Sequence, residues 1–196
     1  MTLATVSTTV ALVATYSCLS AQTYIPGRYK PTSGDMSMKA AVGKANSFLS
    51  LVGISPGTAT EQKVRFTKRH GFPGRFQWEV TTLTYWVYLD SKSGLITSYV
   101  NAKRQDDRYR GKNRTGTRFV GSEQAAKSYL RTVATKLGVP RDSVIANFAI
   151  KRDGEGQDSR PMGRFGGVFK TAGGDIIATL SCDLQDGLIL VYTRSR

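Results

Sequence analysis

The 196-residue chain carries 28 lysines and arginines against 14 aspartates and glutamates, a formal net charge of +14. Hydrophobic residues make up 40% and aromatics 10%, enough for one compact core or two small ones, so a wholly disordered chain is excluded. The charge speaks about partners and favours anionic ones: acidic proteins, envelope polymers, lipid head groups or nucleic acid.

The first 27 residues hold no charged side chain, and within them Val10-Ala-Leu-Val-Ala14 leads to the small residues around Ser20 and Ala21. This is the outline of a secretory signal peptide over 1–21, with cleavage after Ala21 or after Ser20. The apolar run falls short of the roughly 18 residues of a membrane span. The bulky Tyr16 ahead of Cys18 argues against a lipoprotein anchor. Removal of the leader leaves Cys182 as the only cysteine, so no disulfide is expected and the core must stand on apolar burial. Residues 22–36 read as an N-terminal extension.

From Met38 to Val52 the apolar residues Ala41, Ala45, Phe48 and Val52 recur at helical spacing, behind Ser37 as a cap and ahead of Gly53 as a stop. Three strands rich in aromatic and β-branched residues follow. They are Lys63 to Arg69, the alternating Phe76, Trp78 and Val80, and Tyr85 to Leu89. A turn from Asp90 to Gly94 then leads into a fourth, Leu95 to Tyr99.

The same order returns later. Ser122 precedes a helix with Ala126, Leu130, Val133 and Leu137 on one face, and Gly138 ends it. Asn147 to Arg152, Gly163-Arg164-Phe165, Ile176 to Ser181 and Leu188 to Tyr192 repeat the strand order, with Asp183 to Gly187 as the turn. The Gly-Arg-Phe of residues 74–76 recurs at 163–165. This points to an internal duplication. The fold expected is α+β: two tandem repeats, 37–101 and 121–196, each one helix packed on an antiparallel sheet of about four strands. A basic linker, 102–120, joins them.

The Ala-rich helix, the Trp78-Glu-Val strand and above all Tyr85-Trp-Val-Tyr-Leu-Asp-Ser-Lys-Ser-Gly-Leu-Ile96 resemble the PepSY domain, and both copies fit that pattern. PepSY domains occur in propeptides of thermolysin-like metalloproteases and in bacterial envelope proteins. The tandem layout also resembles the β-lactamase inhibitor proteins. Both resemblances imply inhibition or ligand binding, and neither brings catalytic residues to this chain.

The search for chemistry gives little. His70 is the single histidine, and it reads as a solvated residue of a basic turn. Gly53-Ile-Ser-Pro-Gly57 has the spacing of a nucleophile elbow, yet it follows a helix where the elbow needs a strand. The Gly-rich pieces at 154–156, 163–167 and 173–174 lack the fingerprint of a phosphate loop. Asp106-Asp107, Glu155 and Asp158 sit in polar surroundings with no sign of a shaped cleft. No enzyme activity, cofactor or metal is expected.

The linker is the candidate binding feature. Lys103 to Arg118 holds seven basic and two acidic residues. It reads equally as a solvated connector and as an anion-binding strap built on Arg104, Arg108, Tyr109, Arg110, Lys112 and Arg114. The expectation is an exported, monomeric, non-catalytic binding protein, secreted or held in the periplasm or cell envelope. Its partner would be a protein, a peptidase being one choice. The alternative is an anionic envelope polymer or lipid held by the linker. Nucleic acid is not the expected target of an exported chain.

Overall fold

The structure, a computed structural model, describes residues 21–54, 61–102, 122–155, 161–184 and 186–195. Its elements in chain order are strand β1 (Ala21–Tyr24), helix α1 (Met38–Leu51), and strands β2 (Glu61–Lys68), β3 (Phe76–Thr81), β4 (Trp86–Asp90) and β5 (Ile96–Val100). Helix α2 (Glu123–Lys136) follows, then β6 (Val144–Glu155), β7 (Pro161–Lys170), β8 (Ile176–Asp183) and β9 (Ile189–Arg194). Residues 1–20 of the leader, the elbow-like Ser55-Pro-Gly57, the linker from residue 103 to 120 and residue 121 lie outside the described residues.

Both helices end as their sequences demand. Ser37 Oγ accepts from the Ala40 amide at 3.2 Å, and Ser122 Oγ accepts from the Ala125 amide at 3.1 Å. Each C-terminus closes in a paired-bond glycine motif. Ile54 N donates to Leu49 O and Gly53 N to Ser50 O, and Val139 N to Ala134 O and Gly138 N to Thr135 O. Gly53 and Gly138 take φ of +80° and +78°, which a side chain would oppose.

The expectation of two tandem helix-on-sheet repeats is overturned. The strands form one nine-stranded sheet in the order β1-β2-β3-β4-β5-β9-β8-β7-β6. It is mixed, because β1 runs parallel to β2 while the other neighbours are antiparallel. The seam is β5 on β9, with Ser98 opposite Thr193, Tyr99 opposite Tyr192 and Val100 opposite Val191. The physical reason is edge pairing. Two separate sheets would each expose a row of unpaired amides and carbonyls at β5 and β9, and pairing them satisfies both. No helix among the described residues is long and apolar enough to cross a membrane.

One core spans the seam. Tyr99, Tyr192, Leu180 and Gly167 lie in one register row. Phe48 of α1 meets Tyr99 edge-on at 5.3 Å and Tyr192 at 6.3 Å, and Leu130 of α2 lies over Gly167. Both helices therefore cover the same face. Val64, Phe66, Trp78, Val80, Val87, Leu89, Phe165 and Phe169 complete that buried layer. Alternate residues such as Arg65, Glu79 and Tyr88 point to the other face.

Candidate functional site

In an antiparallel meander every second turn emerges at the same end. The turn after β2 and the turn after β4 therefore meet, and the start of β5 and the end of β9 arrive beside them. The first turn carries Arg69 and Arg75, the second carries Asp90, Ser91, Lys92 and Ser93, and β9 ends on Arg194. Together the two turns enclose a cleft of about 390 Å³, with Phe76, Leu95 and Thr97 in its walls.

Arg69 is the buried cation of this cleft, with 6% of its surface exposed. Its guanidinium lies 3.9 Å over the Phe72 ring, a cation–π contact. One Nη donates to the Arg194 carbonyl at 3.1 Å, so Arg69 also ties the first turn to the last strand. Burial pulls this group below its ordinary value, opposed by the Asp90 charge and assisted by Arg75. A guanidinium remains protonated at neutral pH regardless. Among the described residues its only hydrogen bond is the one to Arg194, so most of its donors are left for the cleft.

Asp90 is the one carboxylate in the cleft lining among the described residues, and it is largely occupied. One oxygen accepts from Ser93 N at 2.9 Å, Ser93 Oγ at 2.8 Å and Lys92 N at 3.2 Å. Burial works to raise its pKa. The Ser93 and Lys92 hydrogen bonds and the Arg69 charge outweigh that and hold it below the usual carboxylate value. Its role is to build the turn that presents Lys92. The neighbouring Ser91 Oγ donates to Asp35 at 2.6 Å, and Met36 N donates to Ser91 O at 2.7 Å. The N-terminal extension thereby clamps this turn. Arg69 acts on Asp90 and Lys92 on Asp35. Among the described residues three cations, Arg69, Arg75 and Lys92, thus meet two carboxylates that are already hydrogen-bonded within the fold, a site able to hold an anion.

Two hollows adjoin the cleft. One is the hairpin turn from Lys68 to Pro73, which shares Arg69 and contains His70. The other lies between the C-terminal ends of the two helices and shares Leu95. This second groove, about 380 Å³, is lined by Leu51, Ile96, Leu137 and the cations Lys44, Lys136 and Arg194, with no carboxylate among the described residues. Leu51 and Leu95 are 52% and 45% exposed. The groove is therefore apolar at its base and cationic at its rim.

The residues chosen from sequence, Arg104, Arg108, Tyr109, Arg110, Lys112 and Arg114, lie outside the described residues, and so does Asp158. His70 is exposed in the hairpin turn. The basic cleft was not read from sequence, although its signal is there: basic residues at 68, 69, 75 and 92 flank two turns that a meander brings to one end. Cys182 is fully buried, and burial, with Asp183 and Asp186 nearby, pushes its thiol far above the ordinary value. It is an inert core residue.

No family model and no curated protein matches the chain. Among solved structures it is similar to the Bacillus megaterium YpeB C-terminal domain, with a TM-score of 0.48 and 17% sequence identity. The match covers 82% of this chain and 63% of that one, so the chain spans less than two thirds of the length of the structure it matches.

Proposed function

We propose that this chain is an exported, non-catalytic binding protein that captures an acidic segment of a protein partner at the basic end of its sheet. The observation carrying this reading is the cleft whose lining, among the described residues, holds Arg69, Arg75 and Lys92 and one carboxylate, Asp90, already committed to its own turn. The leader-like first 21 residues support export, and the charge of +14 supports an anionic partner. Exposed apolar surface beside the cations favours a protein over a hydrophilic polymer, which would have no use for it. A peptidase is the partner class implied by the PepSY resemblance.

The test uses the chain from Gln22 and fluorescein-labelled acidic peptides containing leucine, read by anisotropy. Binding by the wild type and a loss of about tenfold or more in Arg75→Glu/Lys92→Glu is expected. Binding that survives in that double variant contradicts the reading. If polyphosphate binds and the peptides do not, the polymer reading through the 102–120 linker replaces it. The peptidase form is checked by adding the purified chain to envelope peptidase assays, where unchanged activity removes it.

A further inference from the structure

Building on that reading, we infer that Arg69 is a carboxylate anchor, and that the segment it holds is an extended peptide whose acidic residue is accompanied by a nearby large apolar residue. Arg69 is the buried cation of the cleft, it is fixed on both sides by Phe72 and the Arg194 carbonyl, and its remaining donors, near the Asp90 charge, hydrogen-bond to no other described group. A guanidinium held in this way has its rotamer chosen before a ligand arrives, so little side-chain freedom is lost on binding. Its planar fork matches the two oxygens of a carboxylate. Arg75 and Lys92, on opposite walls, add charge without that fixed geometry.

The surroundings distinguish a passing chain from a chain end. Arg69 lines both the cleft and the hairpin hollow, while Leu95 lines both the cleft and the groove between the helices. The three hollows thus adjoin in a row, with the anchor on one boundary and an exposed leucine on the other. A ligand that ended at Arg69 would leave the hairpin hollow unused. A continuous peptide places its acidic side chain on Arg69 and an apolar side chain beyond Leu95, where Leu51, Ile96 and Leu137 offer apolar walls and Lys44, Lys136 and Arg194 favour further acidic residues.

The experiment measures anisotropy of labelled twelve-residue peptides with amidated C-termini (~12 residues is the reach of an extended strand of about 40 Å). One internal glutamate is kept, and a leucine is moved through the four positions on either side of it. Replacing the glutamate by glutamine should weaken binding roughly tenfold, as loss of a charge-assisted pair does. One leucine register should bind better than its serine counterpart, and Leu95→Ser should abolish that preference. Arg69→Lys, which keeps the charge and loses the fork, should also weaken binding roughly tenfold, against a smaller effect of Arg75→Lys. The glutamine peptide needs no protein variant and tests the anchor even if Arg69→Lys fails to fold. Peptides that bind the wild type but are indifferent to the glutamine and leucine changes overturn this inference while leaving the acidic-partner reading intact. A free C-terminal carboxylate replacing the internal glutamate without loss overturns the passing-chain geometry. Failure of every acidic peptide to bind removes the underlying reading itself.

Discussion

Phe48→Ala tests whether the chain is one structure or two. Phe48 belongs to the first helix, yet its ring packs on Tyr99 of β5 and on Tyr192 of β9, the two strands of the seam. It is 6% exposed, so truncation removes nearly a whole buried ring and leaves a cavity, at a cost of about 3–5 kcal/mol. For a chain of this size each kcal/mol lowers Tm by about 2–4 °C, so the midpoint should fall by roughly 6–20 °C. The chain from Gln22 offers a probe on each side of the seam. Trp78 and Trp86 fluoresce from β3 and β4, and Cys182, fully buried in β8, reacts with a thiol reagent only when that region opens. Followed in denaturant, the two probes should give coincident transitions in the wild type, shifted together by Phe48→Ala. A variant in which the tryptophan transition moves and Cys182 protection stays put would refute the single-sheet argument.

Further expectations concern the turns that build the cleft. Gly94 has φ of +69°, and a Cβ there would lie 2.7 Å from Lys44 Cδ, so Gly94→Ala should destabilise by about 1–3 kcal/mol in urea titrations. Gly174→Ala, at φ of +90° with open space around it, should cost about 1 kcal/mol, from backbone strain alone. Burial acts to raise Asp35 and Asp90, but their hydrogen bonds win and both lie below the ordinary 3.8. Their contribution to stability is therefore present above the unfolded value and lost as pH falls below about 4 through the lower folded values. Unfolding followed from pH 6 to 2 should show this loss, with a shallower slope in Asp35→Asn and Asp90→Asn. Ser37→Ala and Ser122→Ala should each cost about 1 kcal/mol by loss of the cap, read from the shift in denaturation midpoint.

The local structure was legible because each signal is local. Ser37, Gly53, Ser122 and Gly138 bracket the helices, and alternation at Trp78, Val80, Val87 and Leu89 marks the buried face. The joining of the sheet was not legible. Tyr99 and Tyr192 alternate as any half-buried strand residue does, and nothing in that pattern says whether a strand lies at an edge or has a second neighbour. β1 straddles the end of the leader and the start of the N-terminal extension, and its four residues carry too little periodicity to mark a strand. The cleft escaped for a related reason. Its cations come from two turns some twenty residues apart, whereas the linker concentrates its charge in one run. A sequence reading favours density, and folding favours what the turns bring together.

The most direct test of the binding claim is a backbone amide chemical-shift titration of the chain from Gln22 with an acidic, leucine-containing peptide. The account predicts that the largest shifts fall on Arg69 to Arg75 and on Ser91 to Leu95, with smaller ones at Lys136 and Arg194. Shifts concentrated on Trp86 and Tyr88 of the opposite face, or confined to residues 103–118, would contradict it.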